Sequence, residues 1–427
     1  MSKIVDEKKY INRLIDNKIT NYLDVFGAIC IEGPKWSGKS WTSSYHAKSE
    51  FLVADPTNNF SNRTLAQTDP AVVLEGESPR LIDEWQEVPP LWDATRSFVD
   101  RNSKKGQIIL TGSSTPKRKG ILHSGTGRIE SIRMSTMSLF ETGDSTGQAS
   151  LTDMIKGTFK PFVMEQVSIE RIAYLISRGG WPGNIGVKND SAHLLAGSYI
   201  KNTINEDVAK ISENDGVDYK PSIVLKLLKS LARNESTTAS NNKIMGDVVE
   251  FDNETLSKIT YNKYISVIDR MFLKDNTMPF STNVRSSLRI KQKEKRHLSD
   301  PSLSAALLGL TPQKMLSDLN TMGFLFEALV EHDLEIYADA IGGKLYHYQD
   351  YDGGEIDAVI ELDNGEWCAI EIKLGLAKAE EGADNLEKVC ESIEKKPVMK
   401  CVIYGVGNMA YQRQDGTYII PITALRP

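Results

Sequence analysis

Cysteine is scarce in this chain. There are four in 427 residues (Cys30, Cys368, Cys390 and Cys401), none in a CxxC pair, and only six histidines. This argues against a zinc site and a disulfide framework, and fits a reducing cytoplasm. Long apolar runs are also missing, and the opening MSKIVDEKKY is too polar for a secretion signal. The expectation is a soluble, cytoplasmic protein with no membrane partner. Nor is there an excess of positive charge. Lys and Arg total 51 against 57 Asp and Glu, a formal net charge of −6, so no global basic field advertises nucleic acid. One local basic run stands out, RSSLRIKQKEKRH (285–297), where Arg285, Arg289, Lys291, Lys293, Lys295 and Arg296 face only Glu294. Such a run serves either as a solvated face or as a nucleic-acid contact. The rest is ordinary for a globular chain, at 40% hydrophobic and 25% charged residues. The length implies about two to four domains.

What is present begins with AICIEGPKWSGKSW. Its apolar run from Ala28 to Ile31 predicts a buried parallel strand. The chain then turns through Gly33, Pro34, Lys35, Trp36, Ser37, Gly38, Lys39 and Ser40, which matches GxxxxGK[ST]. Backbone N–H groups of such a loop and the N-terminus of the helix after it form an anion site. Lys39 would reach the β- and γ-phosphates of ATP, and the Ser40 hydroxyl would ligate Mg²⁺.

A phosphate loop needs acids on a neighbouring strand. In SPRLIDEWQE, Leu81 and Ile82 lead into Asp83 and Glu84. Asp83 would hold Mg²⁺ through water and Glu84 would polarise the attacking water. Acids are also favoured wherever a strand end runs into a helix N-terminus, whatever the function. A third strand, QIILTGSSTP, ends in Thr111, Ser113 and Ser114. Strands of such sheets present their C-terminal ends to one crevice, so a hydroxyl there would sense the γ-phosphate or position water.

The run LIDEWQEVPPLWDATRSFVDRNSKKGQIILTGSSTP resembles the core of a family of bacterial and archaeal AAA+ ATPases. Their C-terminal region is a domain of unknown function similar to restriction-endonuclease folds. The likeness continues through HSGTGRI (123–129), MSLFE (137–141), SRGGWP (177–182) and KRHLSDPSL (295–303). It implies an α/β chain with a P-loop AAA+ core over 1–150 and a helical lid over 151–215. A winged-helix domain over 216–298 and a restriction-endonuclease-like domain over 299–427 would follow. It also places Arg128 where an arginine could contact the γ-phosphate, in its own subunit or in a neighbour of a homo-oligomer. Read from its residues alone, Arg128 is equally a structural arginine paired with a nearby acid.

The middle of the chain reads as helices. PSIVLKLLKSLARN (221–234) has apolar residues at helical spacing, and Asn253 would cap a short helix further on. Tyr264, Ile265, Val267, Ile268, Met271 and Phe272 mark the buried side of a longer one. Helix, short helix, longer helix and a strand-like tail is the order of a winged helix, used either to read DNA or as a structural connector.

The last constellation is EIDAVIELDNGEWCAIEIKLG (355–375). A two-residue Asn364-Gly365 turn would mix polar and apolar faces. A three-residue loop with Gly365 left-handed instead gathers Ala358, Ile360, Leu362, Cys368, Ile370 and Ile372 on one apolar face, and a buried face fixes register. Asp357 then lies opposite Glu371, and Glu355 opposite Lys373. Paired carboxylates repel unless a cation joins them, and hard oxygen ligands suit Mg²⁺ or Mn²⁺. Lys373 would orient or activate a metal-bound water, or steady charge on a phosphodiester. This Asp…Glu-x-Lys pattern resembles the PD-(D/E)xK nuclease core, and MGFLFEALVEHDL (322–334) its first helix, with Glu327 pointing into the site. Three readings stay open: an ATP-driven switch or motor with a DNA-directed nuclease, a nucleotide switch whose nuclease-like end binds nucleic acid or protein without cutting, and an ATPase that remodels a protein partner.

Overall fold

The computed structural model describes residues 3–114, 121–248, 256–283, 285–350 and 353–427. By packing they form two compact units that interleave along the chain. The first holds Met1–Thr136, Asp207–Tyr219 and Ser266–Leu273; the second holds Met137–Glu206, Lys220–Ile265 and Lys274–Pro427. The segment expected as a lid divides at Asp207, and the expected winged-helix stretch gives Ser266–Leu273 to the first unit.

In the first unit, five short strands form a parallel sheet: β1 (Ala28–Glu32), β2 (Ser49–Leu52), β3 (Arg80–Asp83), β4 (Ile108–Gly112) and β5 (Ile129–Arg133). Their order is β2-β3-β4-β1-β5. The near-continuous apolar runs foreseen for β1 and β4 follow from burial on both faces. Ala28, Cys30, Ile82, Ile108 and Leu110 pack on Leu91, Trp92 and Val99 of the Pro90–Asn102 helix. Ile29, Ile31, Leu81, Ile109 and Ile132 point the other way, toward Ile19 and Leu23 of the Asp16–Val25 helix. Burying each such side chain contributes roughly 1.5–3 kcal/mol. Register then sets the chemistry: Glu32 of β1 pairs with Gly112 and Arg133, so the exits of three strands share one edge.

The second unit adds β6 (Ala149–Ser150), β7 (Phe162–Val167), β8 (Met278–Pro279), β9 (Gly343–Gln349), β10 (Glu355–Leu362), β11 (Trp367–Gly375), β12 (Met399–Gln412), β13 (Tyr418–Pro421) and β14 (Leu425–Arg426). Its main sheet runs β13-β12-β11-β10-β9-β8, with β7 also on β12, while β6 pairs with β14. The 22-residue Leu319–Ala340 helix precedes β9 and packs on β9 and β11. β9, β10 and β11 are antiparallel neighbours; the Ala379–Ser392 helix then returns the chain to β12, parallel to β11.

The β10–β11 hairpin has the three-residue register. Ala358 pairs with Ile370 and Ile360 with Cys368. Gly365 is left-handed at φ 78° and donates to the Leu362 carbonyl at 2.8 Å. The second face of the hairpin carries apolar residues as well. Val359, Trp367 and Ala369 on the second face are also buried, against Leu386 and Cys390 of the Ala379–Ser392 helix. Polar chemistry is confined to the strand ends, where β10 also shifts register against β9 between Ile356 and Val359.

The three helices expected in the middle are Pro221–Arg233, Asn241–Val248 and Lys258–Arg270; Asn253 lies outside the described residues. The strand-like tail follows them in the chain. It becomes β8, whose Met278 pairs with Tyr346 of β9, and bridges join Lys274 to Leu298 and Thr277 to Lys295. Among the described residues no helix is long and apolar enough to cross a membrane.

Gly365→Ala isolates the cost of the hairpin loop, because the added methyl meets only the Lys395 ammonium, at 3.9 Å. We expect a loss of about 1–2 kcal/mol from the left-handed backbone alone, read from the urea midpoint at unchanged slope.

Candidate functional site

The loop after β1 is shaped by three unusual residues. At Gly33 a Cβ would lie 2.2 Å from the Met134 carbonyl oxygen, so only glycine lets the loop pass. Trp36 is left-handed at φ 63° and half exposed. Gly38, at φ 97°, leads into the Lys39–His46 helix and leaves its first N–H groups to face an anion. Arg13 was not singled out by any motif, yet its guanidinium donates to the carbonyls of Ser37, at 3.0 Å, and Ser135, at 3.0 Å. The Ser37 hydroxyl is buried with no hydrogen-bond partner among the described residues. Lys39 is 5% exposed and donates to the Pro34 carbonyl at 2.8 Å. Burial lowers its pKa to about 8, against the opposing pull of Glu84 and Asp83. Lys35 forms an ion pair with Asp207.

Asp83 is the joint of the site. Its Oδ1 accepts from the Ser40 hydroxyl at 2.7 Å and from the Thr111 hydroxyl at 2.6 Å. Burial raises its pKa, while the two hydroxyls pull it down. A carboxylate and a serine hydroxyl in this contact are the oxygen donors that Mg²⁺ prefers. Glu84 follows in a left-handed conformation (φ 59°), with its N–H donating to Thr111 Oγ1 at 3.0 Å. Its carboxylate accepts from the Ser113 hydroxyl at 3.0 Å and from the Gln86 amide. Gln86 is a second residue that sequence reasoning passed over, and only its place two residues after Glu84 hinted at it. Beyond these groups lies a cavity of about 560 Å³ lined by Lys35, Gln86, Ser113, Ser114, Lys210 and Arg270, among others.

Arg128 is not brought to this edge. It precedes β5, its carbonyl accepting from the N–H of Ala28 at the start of β1, and its Nε bonds Asp100 at 2.9 Å. The length of β1, roughly 3.3 Å per residue over five residues, separates it from the phosphate loop. The arginine at the loop edge is Arg133, across from Glu32, with its guanidinium 5.0 Å from the centre of the Phe272 ring.

The second cluster lies at the polar end of β10 and β11. Asp357, Glu371 and Lys373 lie together there, and Glu327 is joined to them through Lys295. Lys373 pairs with Glu371 and lies 3.9 Å from Asp357 Oδ2, which also accepts the Ile372 N–H at 2.8 Å. Glu371 is 7% exposed, and burial lifts its pKa to about 7, with Asp357 adding to the rise. Among the described residues no group of three or more His, Cys, Asp or Glu is arranged to hold a metal. The positive charge comes instead from lysines. Lys295, 2% exposed, pairs with Glu327, lies 3.0 Å from Glu331 and donates to the Asp357 carbonyl at 3.0 Å. Burial works against its charge, but Glu331, Glu327 and Asp357 outweigh it and hold the ammonium protonated. His297 continues the cluster, 3.0 Å from Glu235 and 2.9 Å from Glu331.

The basic run is thereby divided. Lys295 and Arg296 are buried, and Arg289 forks onto Glu361 at 2.7 and 3.0 Å, leaving Arg285, Lys291 and Lys293 exposed.

Comparison with known proteins bears on the first part of the chain. Residues 25–143 match the model of an AAA domain. This part of the chain is a P-loop, AAA-like ATPase domain. Residues 169–314 and 322–425 match two domains of unknown function, DUF8612 and DUF4143. Uncharacterized proteins of Mycobacterium bovis and Mycobacterium tuberculosis are each 23% identical over 349 residues, covering 81% of this chain and 70% of theirs. The Walker-type ATPase paby2304 of Pyrococcus abyssi is similar over 72% of this chain and 98% of its own, at 11% identity and a TM-score of 0.43.

Lys39→Met removes the ammonium that would meet phosphate and relieves its burial. We expect ATP binding to be lost while the nucleotide-free chain is no less stable. The wild-type lysine gives up its proton near 8 when folded and near 10.5 when unfolded. Between those values the unfolded chain binds more protons, so wild-type stability rises with pH across that window. The variant should lack this rise when melting temperatures are compared from pH 7.5 to 10.5.

Proposed function

We propose that the chain is an ATP-hydrolysing switch or motor that acts on DNA through a nuclease-like second unit. The observation that carries the ATPase part is the Asp83 carboxylate shared by Ser40 and Thr111 at three adjoining strand ends. Lys39 leaves the Pro34 carbonyl to meet the β- and γ-phosphates. Ser40, and Asp83 through water, are the residues that would hold Mg²⁺, which when bound neutralises charge on the phosphates. Glu84 orients the attacking water and takes its proton, with its carboxylate steadied by Ser113 and Gln86. Thr111 keeps Asp83 and the Glu84 backbone in place. Arg128, at the far end of β5, can serve a phosphate only in a neighbouring copy.

The second unit supports a nuclease-like layout through its order of elements: a long helix, three antiparallel strands, a helix and a parallel strand. Asp357, Glu371, Lys373 and Glu327 gather at one end of it. Three helices between 221 and 270 supply the order of a winged helix, and exposed Arg285, Lys291 and Lys293 supply positive charge for a backbone. A second reading, in which this unit binds DNA without cutting, is favoured by one observation: Lys295 already lies among the carboxylates. The four buried, unpaired cysteines support the reducing cytoplasm as its location.

Glu84→Gln should lower the ATPase turnover by roughly 10²–10⁴-fold while leaving ATP affinity within a small factor. Duplex and single-stranded DNA should bind with an affinity that changes with ATP and falls steeply with salt. ATP turnover with no DNA binding even at low salt would leave the protein-remodelling reading standing. Cleavage assays with Mg²⁺ or Mn²⁺ decide between the cutting and non-cutting forms.

A further inference from the structure

Carboxylates crowded together away from water need a cation. Here the chain supplies its own. We infer that Lys295 permanently fills the position a divalent metal would take between the carboxylates of Glu327 and Glu331 and the main-chain carbonyl of Asp357. The second unit accordingly takes no Mg²⁺ or Mn²⁺ there and engages DNA without hydrolysing it. This rests on the non-cutting reading above and gives it a cause.

Four observations converge. An ammonium has three hydrogens, and Lys295 has three acceptors for them: a Glu327 oxygen, Glu331 Oε1 at 3.0 Å and the Asp357 carbonyl at 3.0 Å. The nitrogen has no spare donor. The side chain is also walled in, at 2% exposure, so it has no path to water if a metal arrives. A divalent ion would be set beside a buried like charge, which no dielectric screening relieves.

The backbone beneath the lysine is pinned as well. Lys295 N donates to the Thr277 carbonyl at 2.9 Å, Thr277 N donates back at 3.0 Å, and Arg296 N reaches the Thr237 carbonyl at 2.9 Å. Lys295 is therefore not a mobile surface residue that has folded into an empty site. Finally, the two carboxylates outside its reach are already engaged. Asp357 Oδ2 accepts the Ile372 N–H at 2.8 Å, and Glu371 is paired with Lys373. A metal needs several free oxygens at about 2.0–2.1 Å for Mg²⁺, and here Glu327, Glu331, Asp357 and Glu371 each already have an oxygen in an ion pair or a backbone hydrogen bond.

The test is Mn²⁺ binding to the full-length chain without nucleotide, read from the electron paramagnetic resonance signal of free Mn²⁺. Wild type and Asp357→Asn should give the same titration, with no Mn²⁺ bound in an Asp357-dependent way. Lys295→Gln removes the charge and shortens the side chain by one atom. It should gain a site at least roughly tenfold tighter than wild type, the scale at which outer groups tune metal affinity. That gain should vanish in the Lys295→Gln, Asp357→Asn double variant. A wild-type site that Asp357→Asn abolishes would overturn the inference, and this comparison decides the matter even if Lys295→Gln does not fold. Binding of Mn²⁺ together with ATP, lost in Lys39→Met, is measured alongside; its absence would count against the ATP switch and leave the assignment of Lys295 untouched. Metal-dependent DNA cutting that survives Asp357→Asn would sink the non-cutting reading and again spare Lys295. Cutting lost in Asp357→Asn would overturn both.

Discussion

One oxygen atom, Oδ1 of Asp83, ties the first site together. It accepts from a hydroxyl on the phosphate-loop helix and from another on β4. Both contacts depend on strand order: β4 lies between β1 and β3, so the acid of β3 reaches Ser40 only across the end of β4. The parallel register fixes those ends at one level, and the two apolar layers on either face of the sheet hold that register. A slip of one residue in β3 would turn Asp83 to the opposite face and exchange Leu81 and Ile82 between the two layers.

The two buried lysines show how one residue type serves opposite ends. Lys39 is buried near Asp83 and Glu84, but burial outweighs their pull and weakens its hold on a proton. It is poised for a stronger partner, and phosphate oxygens are one. Lys295 is buried just as deeply, but its carboxylates are in direct contact and dominate. Burial alone does not decide whether a lysine is a waiting group or a spent one; the distance to the nearest acid does.

Much of both sites was legible in the sequence. The phosphate loop declares itself because glycine spacing and a following lysine and serine have one stereochemical use. The β10–β11 register was legible because a left-handed Gly365 and an apolar face agree on a single pairing. What stayed hidden depended on direction and distance. Nothing local in HSGTGRI says that Arg128 enters β5 at the edge away from the loop. Lys295 looked like one member of a charged run, and only its pairing with Thr277 and the long helix carrying Glu327 and Glu331 turns it inward. Met278 and Pro279 looked like part of a wing, because two residues cannot announce which sheet they will join.

Trp36 had no explanation in the sequence, and its setting gives it a use. Of the six tryptophans, Trp85, Trp92, Trp181 and Trp367 are buried, while Trp36 and Trp41 are 50% and 40% exposed. Those two flank Lys39 and Ser40. The indoles that water and small quenchers can reach thus bracket the residues that would grip phosphate, and the other four are shielded. The chain carries its own optical gauge of the loop, with a quenchable, red-shifted share of its fluorescence that reports on occupancy without a label.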